Sequence, residues 1–550
     1  MAVAAVKSQT EVELKFLVPA AARADIATEM ARGSATPERL SLAARYLDTD
    51  DRRLAQAGIA WRLRREGRRW IQTLKAGGAN ALERFEHEVT RPDATHDASK
   101  HAGTPVGDRL VALLRRARTD GVELGVRFQT EVRRTVRRVR TRGAVVEVAF
   151  DEGRLLSAGS TQRIREIEFE LISGSTAAML ALVERWRKRF GLVYDPRSKA
   201  ERGDRLAEGS PFPPLRKASQ PRYSDDATAT EAFGAALDEC LAQITRNAVG
   251  LIEGDPALRV EHVHQLRVGI RRIRSALRSF QGWAPSPPDG LVDGLRSLFA
   301  TLGMSRDSDV LDSGVVAELA KFGAPPLTLP AGAAGPDPVD AVRAADTQRT
   351  FLAWIAWRAS LAEPPAKGIA PVEAEPKVDE AHPAGNVACA DDAPSQEEAQ
   401  AARDEHLESE AHSPARVDAP MFHRNAERRL RRWHRRIVAD WNAFDELDEP
   451  NLHALRKRIK RQRYAVEFFA PVLRRRKIER YLTALTAIQD RMGELNDLFV
   501  ARARYQSLVA SDPAAWFALG WLAARIAEVR ALAKPELGRL AKVDPPTIRE

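Results

Sequence analysis

Residues 11–16 read EVELKF, in which Glu11, Glu13 and Lys15 alternate with Val12, Leu14 and Phe16. Successive side chains of a β-strand leave opposite faces, so this run sets three charges on one side and three apolar groups on the other. One such strand is ordinary, because an antiparallel sheet with one face in water produces it. The alternation returns, however, at Arg62 and Arg64, at Thr73 and Lys75, at Arg84, Glu86 and Glu88, at Glu147 and Asp151, and at Glu166, Glu168 and Glu170 with Ile167, Phe169 and Leu171 opposite. These charges are of both signs, sorted by strand and heavy in Arg and Lys, where a solvated face would mix in Ser, Thr and Gln. A sheet that closes into a barrel with its polar face inward gathers them in one lumen.

Such a lumen must hold something charged. The carboxylates of Glu11, Glu13, Asp151, Glu166 and Glu168 offer hard oxygen ligands suited to Mg²⁺ or Mn²⁺, and no Cys or His cluster suggests zinc. Lys15, Arg62, Arg64, Lys75 and Lys199 suit several phosphoryl oxygens at once, Arg through a bidentate fork and Lys as a point charge. Metal and cations in one closed cavity imply a compact polyphosphate ligand. No Ser, Cys or His nucleophile with a base is legible, and His87 and His101 are expected at the surface.

The whole chain has 550 residues, 86 Lys and Arg against 76 Asp and Glu, a net charge of +10 and a pI near 9.7. Its length implies two or three domains. No apolar run approaches the roughly 18 residues of a membrane-crossing helix, and the opening MAVAAVKSQT is too short in apolar residues for a secretion signal. Two cysteines, Cys240 and Cys389, cannot form a disulfide framework, so the expected compartment is the cytoplasm. Residues 363–420 hold 14 acidic and four basic side chains, a net of -10. The rest of the chain therefore carries about +20, which points to a polyanionic partner.

Residues 1–208 carry the alternating segments, and SPFPPLRKASQPRYS at 210–224 breaks all periodicity, giving a linker over 209–226. Long helical periods follow in two blocks, 227–323 and 421–550, separated by a Pro- and Ala-rich insert over 324–420, acidic from about 363 and expected to be largely disordered. The blocks repeat one another. HQLRVGIRRIRSALRSF from His264 matches HALRKRIKRQRYAVEFF from His453 at an offset of 189, and LGMSRDSDV from Leu302 matches MGELNDLFV from Met492 through Gly303/Gly493 and Asp307/Asp497. On the first helix His264, Arg267, Arg271, Arg274 and Arg278 share one face; on the second His453, Arg456, Lys460 and Arg463 do, with Glu467 standing where Arg278 stands. A basic solvated face gives the same pattern from one copy. Two copies read without Glu partners at i+4 imply a polyanion lying along them.

EVELKF at Glu11, YLDT at Tyr46, WRLR at Trp61, TLK at Thr73, VEVAFDEG at Val146, REIEFEL at Arg165 and SKAERG at Ser198 resemble, in order, the CYTH domain of the triphosphate tunnel metalloenzymes. The resemblance implies an eight-stranded antiparallel β-tunnel with flanking helices. It places Glu11, Glu13, Asp151, Glu166 and Glu168 on the family's metal-binding positions and Lys15, Arg62, Arg64, Lys75 and Lys199 on its phosphate-binding positions. FQTEVRRTV resembles the strand that supplies a further Arg, and of the adjacent Arg133 and Arg134 it is Arg134 that is expected to face inward.

The repeated blocks resemble the CHAD domain, an all-α domain of two repeated helical bundles often fused behind CYTH, over about 225–323 and 421–540. That implies inorganic polyphosphate bound by His264, Arg267, Arg271, Arg274, His453, Arg456, Lys460 and Arg463. Single-strand binders interleave aromatics with cations, and the stripes do not, which argues against nucleic acid. The expectation is thus a multidomain α+β protein that hydrolyses inorganic triphosphate with Mg²⁺ or Mn²⁺, Glu11, Glu13 and Lys15 being central to catalysis, and that associates with polyphosphate granules. The alternatives are a non-catalytic polyphosphate-binding protein and an enzyme for an organic triphosphate such as thiamine triphosphate or ATP, for which Trp61 and Trp70 would wall a pocket.

Overall fold

The computed structural model describes residues 10–32, 37–78, 80–313, 315–325, 335–361 and 417–549, with backbone alone for 304–313. Strands β1 (Thr10–Leu17), β2 (Glu38–Thr49), β3 (Ile59–Glu66), β4 (Arg69–Gly77), β5 (Glu83–Arg91), β6 (Leu124–Thr141), β7 (Ala144–Ser157) and β8 (Ser160–Gly174) are all antiparallel and run in the order β5-β4-β3-β2-β6-β7-β8-β1. The ring closes where β1 returns to β5 through Thr10↔Phe85 and Glu11↔Arg84. A two-residue strand, β9 (Val193–Tyr194), takes the remaining edge of β1. The eight-stranded antiparallel barrel that the CYTH resemblance implies is what forms.

Burial follows the alternation. Leu14, Phe16, Ile167 and Phe169 turn outward onto a core completed by Met179, Leu182, Val183 and Trp186. Those four lie at helical spacing on α4 (Thr176–Phe190), which follows α1 (Arg23–Met30), α2 (Arg53–Gln56) and α3 (Pro105–Thr119) in the chain. Ser175 caps the start of α4 by accepting from the Ala178 amide, and Gly191 ends it in the left-handed region at φ 62°. On the opposite flank α3 sets Leu110 against Leu47, Trp61 and Leu74.

One end of the lumen is plugged. Helix α5 (Lys199–Ala207), capped by Ser198 on the Glu201 amide, brings Leu206 against Leu42, Tyr46, Phe128, Val132, Leu155 and Ile164. Tyr46 pairs directly across from Arg62, so these apolar groups occupy the same inward face as the charges, further along it. Contact is close enough that a Cβ on Gly203 would lie 2.1 Å from the Phe128 ring.

Residues 211–224 form neither helix nor strand, yet they are packed: the Tyr223 hydroxyl donates to the Phe468 carbonyl (2.8 Å) and Arg216 pairs with Glu239 (2.5 Å). The remainder is helical: α6 (Ala229–Glu253), α7 (Arg259–Ser279), α8 (Leu291–Ser313), α9 (Val315–Lys321), α10 (Pro338–Arg343), α11 (Ala345–Ser360), α12 (Ala419–Asn442), α13 (Glu449–Phe469), α14 (Arg475–Leu508) and α15 (Ala515–Ala541). Helices α7 and α13 are the repeated pair, each 21 residues long. They meet through equivalent residues, Phe280 and Phe469, edge to face at 5.2 Å in a cluster with Phe422. None of the described helices is long and apolar enough to cross a membrane.

The insert read over 324–420 needs correction. Helices α10 and α11 lie within it, with Phe351 and Trp354 buried and the Trp354 indole donating to the Leu291 carbonyl (3.1 Å). The run TFLAWIAW at 350–357 has the aromatic surface that the acidic stretch lacks, so it folds where its neighbour's composition suggested it would not. The acidic stretch from about 363, including Cys389, lies outside the described residues but for its last few positions. Helix α11 is also shared: Leu352 and Ile355 on its other face complete the outer core of the barrel.

Candidate active site and basic cleft

Three carboxylates gather in the lumen against α5. Asp151 and Glu166 are cross-strand partners and fully buried, and together with Glu168 they offer oxygens all within 4.8 Å of one another. Bare, they would repel. Lys199 meets all three, 2.7 Å from Asp151, 2.5 Å from Glu166 and 2.8 Å from Glu168. Arg202, one turn further along α5, donates to Glu166 (2.8 Å) and to the Arg163 carbonyl (2.7 Å). Arg134 forks onto both oxygens of Asp151 (2.7 Å each) and bonds Glu168, while Arg133 is exposed and registers with Glu152. Burial alone would push the Glu168 carboxyl up; Lys199 and Arg134 reverse this and hold it well below the usual range. The same three acids keep the Lys199 amine protonated despite its burial.

The other predicted residues line the same lumen as separate pairs. Lys75 bonds Glu86 and lies 3.8 Å from Glu11, and Arg62 lies 4.0 Å from Glu86 with the Tyr46 hydroxyl at 3.4 Å. Arg64 reaches Glu66 (2.5 Å) and Glu88 (3.3 Å), and Glu13 stands 3.7 Å from Arg84. Lys15 sits opposite Glu168 in the β1–β8 register. The five predicted metal acids are therefore divided: Asp151, Glu166 and Glu168 converge, whereas Glu11 and Glu13 face the lumen from β1 beside other partners. Among the described residues that trio is the one grouping with the donors and spacing for a metal ion. Its donors are all carboxylate oxygens, which suit a hard divalent cation.

Burial first, and then a hydrogen bond with Glu86, push the Glu11 carboxyl up to about 8. Glu86 goes the other way: burial would push it up, but Lys75, the hydrogen bond with Glu11 and Arg62 together outweigh that and hold it well below the usual carboxylate range. One proton is thus shared by the two acids and resides on Glu11.

Arg202, Glu66 and Glu86 were not singled out as site residues. Glu86 and Glu88 were visible in the alternation of ERFEHE, and Arg202 stands three residues after Lys199, on the same helical face. The expectation of surface histidines fails: His101 is fully buried, its Nδ1 2.8 Å from that of His87, on the outer side of β5 away from the lumen. Burial and then the neighbouring His87 depress His101 to about 4, which leaves it neutral. Trp61 also turns outward, edge to face on His96 at 5.3 Å, and Trp70 shares its strand face with Gln72 and Leu74, outside the lumen.

In the helical part all eight predicted residues, His264, Arg267, Arg271, Arg274, His453, Arg456, Lys460 and Arg463, line a single cleft of about 2160 Å³. Its walls carry thirteen Lys and Arg against eight Asp and Glu. Arg267 is mostly wall: 8% exposed, it donates to the Leu302 carbonyl (3.2 Å) and lies over the Phe299 ring at 4.5 Å. His453 is oriented by Asn496 (3.0 Å). The absence of Glu partners at i+4 holds only for the first repeat, since Arg463 pairs with Glu467 (3.0 Å) and also bonds Gln489 (3.2 Å). Lys217, Arg296, Lys321 and Arg525 add charge from elements outside the repeat match, which gave no sign of them. Phe322 and Trp521 form an aromatic corner, rings 6.1 Å apart. Gly303 adjoins the Arg267 guanidinium, while the Asp307 side chain lies outside the described residues.

A closed antiparallel tunnel lined by acids and cations is joined to a duplicated helical domain with a basic cleft, a two-domain architecture. The chain belongs to the CYTH and CHAD families: the CYTH domain model matches residues 9–203 and the CHAD domain model residues 235–506. An inorganic triphosphatase of Haemophilus influenzae is 28% identical over 196 residues, 35% of this chain and 54% of the relative, so the chain spans about half the length of the curated relative it matches. Among solved structures, the CHAD domain from the plant Ricinus communis aligns at 26% identity over 60% of this chain and 98% of its own, with a TM-score of 0.41. HpAC1 from Hippeastrum, described as having a dominant triphosphatase activity, aligns at 18% identity over 36% and 96%, with a TM-score of 0.27. At the family level, CYTH tunnel metalloenzymes act on triphosphates and depend on divalent metal.

Proposed function

We propose that the barrel hydrolyses inorganic triphosphate with Mg²⁺ or Mn²⁺ and that the helical cleft binds inorganic polyphosphate. The observation that carries the first half is the convergence of buried Asp151 and Glu166 with half-buried Glu168, in one lumen with Lys15, Arg62, Arg64, Lys75, Arg134 and Lys199. A divalent cation held by the trio, with Glu11 and Glu13 beside it, would polarise the phosphoryl group and lower the pKa of an attacking water. The cations neutralise the phosphoryl oxygens and hold the chain of phosphates in line. Arg134 and Lys199 are bonded to the trio and, were its carboxylates to hold a metal, would be freed to meet the phosphoryl oxygens. The plug at α5 limits ligand length, and the outward placement of Trp61 and Trp70 favours an inorganic triphosphate over thiamine triphosphate or ATP.

The test is phosphate release from inorganic triphosphate with Mg²⁺ or Mn²⁺, comparing the full chain with the double variant Glu11→Ala, Glu13→Ala and running ATP and thiamine triphosphate in parallel. Rapid release from triphosphate that the double variant loses is expected; equal rates in both chains would overturn the assignment. For the cleft, fluorescently labelled polyphosphate should bind the full chain and be displaced by unlabelled polyphosphate but poorly by single-stranded DNA. Equal displacement by DNA would instead favour nucleic acid, with Phe322 and Trp521 as a stacking surface.

A further inference from the structure

The segment from Tyr194 to Arg202 is gripped from two sides. On its inner side Lys199 and Arg202 close on Asp151, Glu166 and Glu168. On its outer side three anchors come from the helical domain. Gln348 of α11 accepts from the Tyr194 amide at 2.9 Å in a buried bond. Arg197, its side chain 4% exposed, forks onto Asp195 at 2.9 Å and reaches Glu253 at the end of α6 at 2.5 Å. Arg246, two turns earlier on α6, pairs with both oxygens of Glu201 on the outer face of α5. Asp195 in turn donates its amide to the Lys15 carbonyl at 3.0 Å, which ties the segment to the strand bearing Glu11 and Glu13.

The two faces of α5 thus have different owners. Residues 199 and 202 look into the lumen, and residue 201, between them, looks at α6. Helix α5 is only nine residues long, and while Arg52 and Arg127 of the barrel hold Asp204 in its last turn, Arg246 holds Glu201 in its first turn, beside Lys199, so that anchor bears directly on where the lysine sits. An ångström of slip would move the Lys199 amine out of reach of at least one of its three carboxylates, and misplacement on that scale at a reacting site can cost about 100-fold.

We propose that the helical domain is a working part of the tunnel, in which Arg246, with Glu253 and Gln348, acts as a positioning residue that seats Lys199 and Arg202 on the acid trio. This rests on the reading of the lumen as a triphosphate site. It assigns the helical domain a role in turnover that is separate from anything bound in its own cleft.

The experiment compares the full chain with Arg246→Ala, Arg246→Lys and the exchange Arg246→Glu with Glu201→Arg. Three readouts are taken: triphosphate hydrolysis, calorimetric affinity for inorganic triphosphate without divalent metal, and thermal unfolding. For Arg246→Ala the expected result is a fall in kcat/KM of about tenfold, weaker triphosphate binding and an unchanged melting midpoint, with most of the loss recovered in the exchanged pair. Wild-type kinetics and binding in Arg246→Ala would overturn the proposal, and so would a defect that the exchange leaves in place. A wild-type chain that binds triphosphate without hydrolysing it would refute the triphosphatase reading alone, and the binding comparison would still decide this one.

Discussion

Glu11 is a residue whose protonation changes in the range where cells live. Its carboxyl, raised from 4.5 to about 8 by burial and by Glu86, keeps in the fold a proton that the unfolded chain has already released. Stability of the metal-free chain must therefore fall as pH rises from about 4.5 towards 8, by at most ~1.4 kcal/mol per pH unit. Replacing Glu11 with Gln should flatten that decline in thermal melts between pH 5 and 8. Any cation that takes Glu11 as a ligand must expel the proton, so affinity for Mg²⁺ or Mn²⁺, measured by titration calorimetry, should strengthen over the same window and level off above it. Lys199 makes the complementary case. Lys199→Met removes the amine shared by Glu168 and the two buried acids Asp151 and Glu166, and losing one partner of a buried network costs about 3–5 kcal/mol. The metal-free variant should melt lower, and added divalent cation should raise its melting temperature more than it raises that of the wild type, because the cation replaces the missing charge. An equal rise in both proteins would count against a metal at the trio.

Helix α5 shows at the scale of an element what sequence could and could not reveal. Gly203 is there because Phe128, stacked on Tyr46 at 4.4 Å, leaves no room for a Cβ. Gly203→Ala should destabilise the barrel by about 1–3 kcal/mol and lower turnover by lifting Lys199 from the trio; urea melts and triphosphate hydrolysis check both. None of this close approach was legible, since SKAERG shows a helix start and a lysine but not the ring beneath it. The barrel strands were legible because alternation is local: EVELKF and REIEFEL each display both faces within six or seven residues. What alternation cannot display is which inward charges meet. Glu11 and Glu168 have the same chemistry and the same facing, yet one shares a proton with Glu86 and the other is held ionised by Lys199 and Arg134. The repeat helices fall between these cases. Helical spacing puts Arg271 and Lys460 on the basic stripes, and duplication suggests that both stripes serve one ligand, but spacing alone does not show that Glu467, standing where the first repeat has Arg278, bonds Arg463. Arg271→Ala should weaken polyphosphate binding and make its dependence on salt shallower, as expected when one charge contact is removed, whereas Arg463→Ala should do less because its charge is already compensated.

For the molecule as a whole, composition misled where it averaged. The stretch 324–420 looks uniformly poor in aromatics only if TFLAWIAW is diluted by its acidic neighbour, and that octet turns out to belong to two cores at once. Phe351 and Trp354 pack into the helical domain, while Leu352 and Ile355 pack against the barrel. Ile355→Asp, which would bury an unpaired charge in the barrel's outer core, should cost the N-terminal domain several kcal/mol. Proteolysis followed by mass spectrometry should show its first new cuts in β1 or α4. A chain cut back to residues 1–208 should likewise melt below the barrel of the intact protein, since it exposes the face that α11 covers.

That shared helix also sets a timetable. The last strand of the barrel is made before residue 200, but the residues that seal its outer face arrive some 150 positions later. At a synthesis rate of 5–20 residues per second, the nascent tunnel waits on the order of ten seconds or longer on the ribosome with an uncovered apolar wall. During that interval it is a candidate client for a chaperone, and the domain that emerges first cannot finish folding until part of the second has been made.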